Sequence, residues 1–328
     1  MLTDIPVSPH ERQPHSRHHP QGEYNQGWIY YDRIPKAWEN KTVLDFYARN
    51  YMHSSREMWR ERIEKGLILL DGKTCAADTR LKPGQQLSYR RLPWKEPPVP
   101  IDYTVLFQDE HLLAVHKPAG LPVLPNATHL KNTLLNILRG DFAENLTPLH
   151  RLGTGTSGVV LFAQTDLARK ELSRQFRQCR VEKIYRALVQ GIPQADYFTI
   201  NEKIGKIPYA PLGYIYAASP DGKWAMTCCR VLQKMPGQNC SLLQVKILTG
   251  RPHQIRIHLA AAGYPLLGEP LYQKDGKPGL PPPPQSPPLP GDLGYSLHAH
   301  QVRFDHPLTQ ESVLVEARPP EILRLPGE

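Results

Sequence analysis

The sequence predicts an α+β protein in two parts: a small helix-and-strand module, then a larger domain built on apolar strands. Three observations lead there. Val43, Leu44, Tyr47 and Ala48 recur at helical spacing, and a second helical stretch from Arg56 to Lys65 precedes an apolar strand at Leu67–Leu70. Further on, the apolar runs Leu112–Val115, Val159–Ala163 and Ile184–Val189 read as strands, with a helical stripe of Leu167, Leu172, Phe176 and Cys179 between the last two. Between the two parts, four prolines fall within Pro93–Pro100, a composition that continues neither helix nor sheet.

The expected organisation is a disordered tail over 1–26, a module over 27–95, a linker over 96–100, a main domain over 101–320 and a short tail over 321–328. At 328 residues, one large core and a smaller one can both be buried. No run of about 18 apolar residues is present, so no membrane span is expected. Five cysteines at positions 75, 179, 228, 229 and 240 show no Cys-x-x-Cys spacing, which argues against a disulfide framework or a zinc knuckle and for a cytoplasmic setting. His10, His15, His18 and His19 sit in the polar, aperiodic N-terminal stretch, which reads as a flexible tail rather than a metal site. A formal charge of +9 favours an anionic partner without naming one. The proline-rich run 275–294 reads as an exposed loop inserted late in the main domain.

Within the module, Gly66 stops the second helix, Asp71-Gly72 turns a hairpin, and Leu81–Leu87 leads through Pro83-Gly84 into another strand. Residues 41–95 hold twelve Lys/Arg and six Asp/Glu, so much of the excess positive charge sits here. This order of helix, basic helix and strands resembles the small S4 RNA-binding domain. On that resemblance Arg56 and Arg60, four apart on one helix face, are expected to contact RNA.

In the main domain five segments carry a shared pattern in order. They are Asp109–Gly120 (D-E-H-L-L-A-V-H-K-P-A-G), Leu149–Gly158 (L-H-R-L-G-T-G-T-S-G), Val181–Val189 (V-E-K-I-Y-R-A-L-V), Thr249–His258 (T-G-R-P-H-Q-I-R-I-H) and Gly263–Tyr272, followed by Leu297-His298-Ala299 and Phe304-Asp305-His306-Pro307. Together they resemble the RluA-type RNA pseudouridine synthases, whose signature over the second segment is H-R-L-D-x-x-T-S-G. The resemblance implies a long, mixed, mostly antiparallel sheet with flanking helices around an RNA cleft. It also implies isomerisation of uridine to pseudouridine in ribosomal or transfer RNA by a monomer that needs no metal or organic cofactor.

That reaction breaks the C1′–N1 bond, turns the uracil and joins C5 to C1′, so the base must first leave its stack. The resemblance assigns Arg151 the space vacated by the flipped base, Tyr185 the stacking platform, and Arg256 the partner of a catalytic carboxylate. It further places His150, Thr156, Lys117, Lys183, Arg251 and His253 among the RNA contacts, with Lys183 and Tyr185 on one face of their strand. His253 and His258, five apart, read as hydrogen-bonding residues rather than a metal pair.

Where the signature has its aspartate, this chain has Gly153. Glycine can neither attack C1′ nor take a proton. Three explanations stand side by side. Another carboxylate reaches the site, with Asp109, Asp166 and Glu269 as candidates; the chain binds RNA without isomerising it; or this branch uses a different catalytic arrangement. In each case a buried Arg256 needs a counter-charge, so an anion, a water cluster or a substitute carboxylate is expected beside it.

Overall fold

A computed structural model describes residues 22, 24–210, 212–279 and 288–328. The expected N-terminal tail up to residue 21 and the proline run 280–287 lie outside the described residues. Two compact units are present: 22–96 with 206–215, and 97–205 with 216–328. The stretch 206–215, expected within the main domain, thus groups with the small unit.

The small unit contains β1 (Trp28–Arg33), α1 (Val43–Asn50), α2 (Arg56–Glu64), β2 (Ile68–Leu70), β3 (Lys73–Thr74) and β4 (Gln86–Arg91), with the strands in the order β1-β4-β2-β3. Thr42 and Ser55 start the two helices by accepting the backbone N–H of Asp45 and Met58. Trp59 and Tyr47 stack with ring centroids 4.7 Å apart and anchor a core with Ile63, Ile68, Leu81 and Leu87. Arg56 is spent on Asp45 at 2.8 Å, whereas Arg60 is exposed and makes no hydrogen bond or ion pair among the described residues.

The large unit is built from β5 (Thr104–Gln108), β6 (Leu112–Lys117), α3 (Leu134–Asp141), β7 (Thr147–Pro148), β8 (Ser157–Ala163), α4 (Asp166–Arg177), β9 (Glu182–Gln190) and β10 (Tyr197–Ile200). β11 (Ile204–Tyr209) and β12 (Gly213–Ala218) form a separate two-stranded sheet, whose residues 206–215 group with the small unit. The chain continues through β13 (Thr227–Met235), β14 (Cys240–Ile247), α5 (Gln254–Ala261), β15 (Leu297–Asp305) and β16 (Ser312–Glu316). Ten strands form one mixed sheet whose main path runs β10-β13-β14-β9-β15-β8-β6-β5, with β16 on β15 and β7 on β8. Among the described residues every strand pairing in this sheet is antiparallel except β15 with β8.

Alternation along the strands buries both faces. Leu113, Val115, Val160 and Phe162 join one core with α3 and α5, while Leu112, Ala114, Val159 and Leu161 join a second core with α4. The parallel contact is made at Ser157–His298 and Gly158–Ala299. Gly158 has φ +113°, and a Cβ there would lie 2.1 Å from the Ala299 carbonyl oxygen, so only glycine closes this join.

Thr165 caps α4, its hydroxyl accepting the Ala168 N–H. Its buried face, however, is Ala168, Leu172 and Gln175, with Phe176 packed alongside; Leu167 and Cys179 are exposed. The register differs because the Gln175 amide is buried to bond the backbone of Asp305, donating to its carbonyl and accepting from its N–H. The adjacent Cys228 and Cys229 alternate on β13, one half-buried and one buried.

Candidate active site

Four segments of the large unit are linked through Arg256 and Tyr295: the loop 149–156 before β8, the turn 249–254 that leads into α5, the turn 266–272, and residues 294–296 entering β15. Gln254 shapes the second. Its Oε1 accepts from Thr249 Oγ1 (2.7 Å) and Arg251 N (3.0 Å), and its Nε2 donates to Met226 O (2.9 Å) and Thr227 Oγ1 (3.0 Å). With all four of its bonds made, this buried amide fixes the turn that begins α5 and aims Arg256 inward. The last two segments close on each other at Gly268, φ +77°, where a Cβ would meet the Gly294 carbonyl oxygen at 2.2 Å.

Arg256 is 3% exposed and fully engaged. Nε and Nη2 fork onto the two oxygens of Glu269 at 2.8 and 2.6 Å, and Nη1 donates to Pro290 O at 2.9 Å. Burial works against the guanidinium charge, but the Glu269 bonds and charge outweigh it and raise its proton affinity. The expected counter-charge is therefore Glu269. That carboxylate also accepts from Leu271 N (3.0 Å) and Tyr272 N (3.2 Å), so four bonds hold it and its side chain is 1% exposed. Asp109 is spent on the His111 and Leu112 backbone and on His306, and Asp166 sits exposed at the start of α4 with Arg169. Among the three candidate carboxylates, only Glu269 lies here, and it serves as a counter-ion.

The side chain that faces Gly153 is Tyr295. A Cβ at Gly153 would lie 2.9 Å from the Tyr295 hydroxyl, and one at Gly155 would lie 2.9 Å from its ring carbons. The hydroxyl also bonds Thr156 Oγ1 at 3.2 Å, and the Arg256 guanidinium lies over the ring, 4.2 Å from its centroid. Nothing local in the sequence marks Tyr295. The only hint is the pair of glycines at 153 and 155, which leave room for a ring.

His253 opens α5 in the left-handed region at φ 54° and bonds the Tyr272 hydroxyl through Nδ1 at 2.6 Å. Because that hydroxyl donates its one proton to Tyr216 O (2.8 Å), Nδ1 carries the imidazole proton and Nε2 keeps its lone pair. Burial, then the charges of Arg256 and Arg151, push the His253 pKa down to about 3. Arg151 itself is exposed and has no protein partner among the described residues. Tyr185 is 8% exposed, lies in the same apolar core as Leu152 and Tyr295, and has its hydroxyl pKa raised by burial.

Several expected RNA contacts are turned inward instead. Lys117 is fully buried, and its ammonium donates to the carbonyls of Pro118, Leu121 and Thr154 at 2.8, 2.7 and 3.2 Å, stapling the loop that carries Gly153. Burial pushes its pKa down to about 7. His150 accepts the Leu161 N–H at Nε2 (3.1 Å) and packs on Phe176; burial and then the charge of Lys183 lower its pKa to about 3. Thr156 is spent on Tyr295, and Lys183 is buried with its ammonium 5.9 Å from the Phe176 ring centre. Phosphate contacts at Lys117, His150 or Thr156 would cost the internal bonds that shape the site. Arg251 is anchored through Nε on Trp224 O (3.0 Å) and keeps its terminal nitrogens unbonded among the described residues. His258 is buried and donates to Glu202 O (3.0 Å), so with His253 held by Tyr272 the two histidines serve the fold.

A family model described as RNA pseudouridylate synthase matches residues 111–261. The chain is 48% identical over 86% of its length to an uncharacterised RNA pseudouridine synthase of Synechocystis, covering 95% of that protein. It belongs to the RNA pseudouridine synthase family. The ribosomal large subunit pseudouridine synthase D of Zymomonas mobilis is 32% identical over 70% of this chain and 73% of its own. Among solved structures, human RNA pseudouridylate synthase domain containing 1 matches with a TM-score of 0.53 and 26% identity, over 69% of this chain and 86% of that one. Against the signature read from the sequence, this member of the family departs at residue 153, where a phenol rather than a carboxylate fills the space.

Proposed function

We propose that this chain isomerises uridine to pseudouridine in ribosomal or transfer RNA, acting as a cytoplasmic monomer without metal or organic cofactor. The observation that carries the reading is the polar interior behind Gly153: a buried, bidentate Arg256–Glu269 pair with a phenol set between it and residue 153. A protein that only bound RNA would need exposed cations but no such interior. Arg151, exposed and unpaired, takes the space of an extruded base, and Tyr185 forms the platform for the uracil. The small unit acts as an S4-like module whose Arg60 meets phosphate; separately, in the large unit, the terminal nitrogens of Arg251 do so. The name of the Zymomonas relative supports ribosomal RNA as the substrate class. Within the described residues no helix is long and apolar enough to cross a membrane.

The test maps pseudouridines by carbodiimide adduct sequencing in cellular RNA with and without this chain. At least one site that disappears and returns on complementation supports the enzyme. An unchanged map, with the chain still bound to RNA, supports a binder on this scaffold.

A further inference from the structure

We propose that the Tyr295 phenol is the catalytic group of this chain, acting at C1′ where the family signature places an aspartate. The inference rests on the synthase reading above. Three features of the geometry carry it. The phenol oxygen sits 2.9 Å from where a Cβ of residue 153 would be; among the described residues, chain neighbours aside, only Thr156 Oγ1 (3.5 Å) also falls within 4 Å of that point. Tyr295 therefore fills the volume that a carboxylate on residue 153 would need, and little else does. The glycine at 155 admits the ring edge, so the two glycines and the tyrosine form a fitted set. Finally, the Arg256 cation 4.2 Å over the ring face favours negative charge developing on the phenol, and Glu269 holds that cation in place. Glu269 does not compete for the role, because its oxygens already take four hydrogen bonds.

The chemistry balances with the phenol alone. The Tyr295 oxygen attacks C1′; the C1′–N1 bond breaks with its electron pair on N1, and the phenol proton passes to N1. Uracil then turns, and C5 attacks C1′ as the C1′–O bond to Tyr295 breaks, returning its pair to the phenolate oxygen. That oxygen takes the C5 proton. The phenol is restored, N1 has gained a proton and C5 has lost one, as the change from uridine to pseudouridine requires.

The test compares the full-length chain with Tyr295→Phe, Gly153→Asp and Gly153→Asp/Tyr295→Phe in single-turnover pseudouridine formation at saturating RNA. A further protein carries 3-fluorotyrosine at 295, whose phenol is more acidic. Tyr295→Phe is expected to lose about a thousandfold or more in rate while binding RNA as before. Gly153→Asp alone gains nothing, because its side chain meets the phenol. The double variant, freed of the hydroxyl, recovers at least about tenfold over Tyr295→Phe. Fluorotyrosine moves the pH–rate profile, which a purely structural tyrosine would leave in place. Wild-type activity retained within about threefold in Tyr295→Phe overturns the proposal. If Tyr295→Phe does not fold, an unmoved pH profile in the fluorotyrosine protein overturns it instead. A wild-type chain that modifies no RNA removes the synthase reading itself, a result separate from either.

Discussion

Replacing Glu269 by Gln isolates the charge that holds the site together. The substitution keeps the side chain's size and one carbonyl oxygen, but sets an NH₂ group against the Arg256 fork. Arg256 is 3% exposed, so its charge cannot be relieved by water, and breaking a buried pair from one side costs about 3–5 kcal/mol. For a domain of this size each kcal/mol lowers Tm by about 2–4 °C, so the expected drop is roughly 6–20 °C. Calorimetry and urea unfolding of Glu269→Gln, Arg256→Met and the double variant measure it. Because either single variant strands a buried charge, the double variant should be less destabilised than the sum of the singles, by about 2 kcal/mol. A Glu269→Gln protein within about 0.5 kcal/mol of wild type, with additive singles, would refute the view that this pair is a closed, buried unit.

Three further outcomes are expected. His150 and His253 are held near pKa 3, and His298 near 4, chiefly by burial, against 6.5 when unfolded. Their folded values are depressed, so the unfolded chain binds more protons below 6.5. Their contribution is full above that pH and is lost as pH falls toward the folded values, at about 1.4 kcal/mol per pH unit for each. Urea midpoints between pH 7 and 5 should fall accordingly and fall less in His150→Gln; a flat profile would refute this. Gly158→Ala adds a Cβ 2.1 Å from the Ala299 oxygen at a positive φ and should cost about 4 kcal/mol or more, read as loss of cooperative unfolding. Arg151→Ala should leave Tm nearly unchanged, since the side chain is exposed and unpaired, yet weaken productive RNA binding by at least about tenfold in a filter-binding assay.

Much of the fold was readable because its signals are local. The apolar runs at β6, β8 and β9 announced strands, and the helical spacing of Leu167, Leu172 and Phe176 announced α4. β1 gave no such signal, since its Trp28, Ile29, Tyr30 and Tyr31 are exposed and do not alternate. The face of α4 was misread because a buried glutamine serving a distant strand carries no apolar signature. At the site, the need of a buried arginine for a counter-charge left open an anion, a water cluster or a carboxylate; the partner is Glu269, which had been weighed as a stand-in for the missing aspartate. Lys117, His150 and Thr156 belong to the family pattern, but the pattern does not say whether a polar group faces a ligand or the protein's own carbonyls and hydroxyls. Tyr295 escaped altogether. Its relation to Gly153 exists only once β15 and β8 lie side by side.

Tritium release from RNA labelled at uridine C5 is the most direct measurement of the central claim, because the C5 hydrogen leaves only when the new carbon–carbon bond forms. The purified chain should release the label from an RNA bearing its mapped uridine, and the Tyr295→Phe protein should release almost none. Equal release from both would contradict the role given to the phenol, and no release from either would contradict the synthase itself.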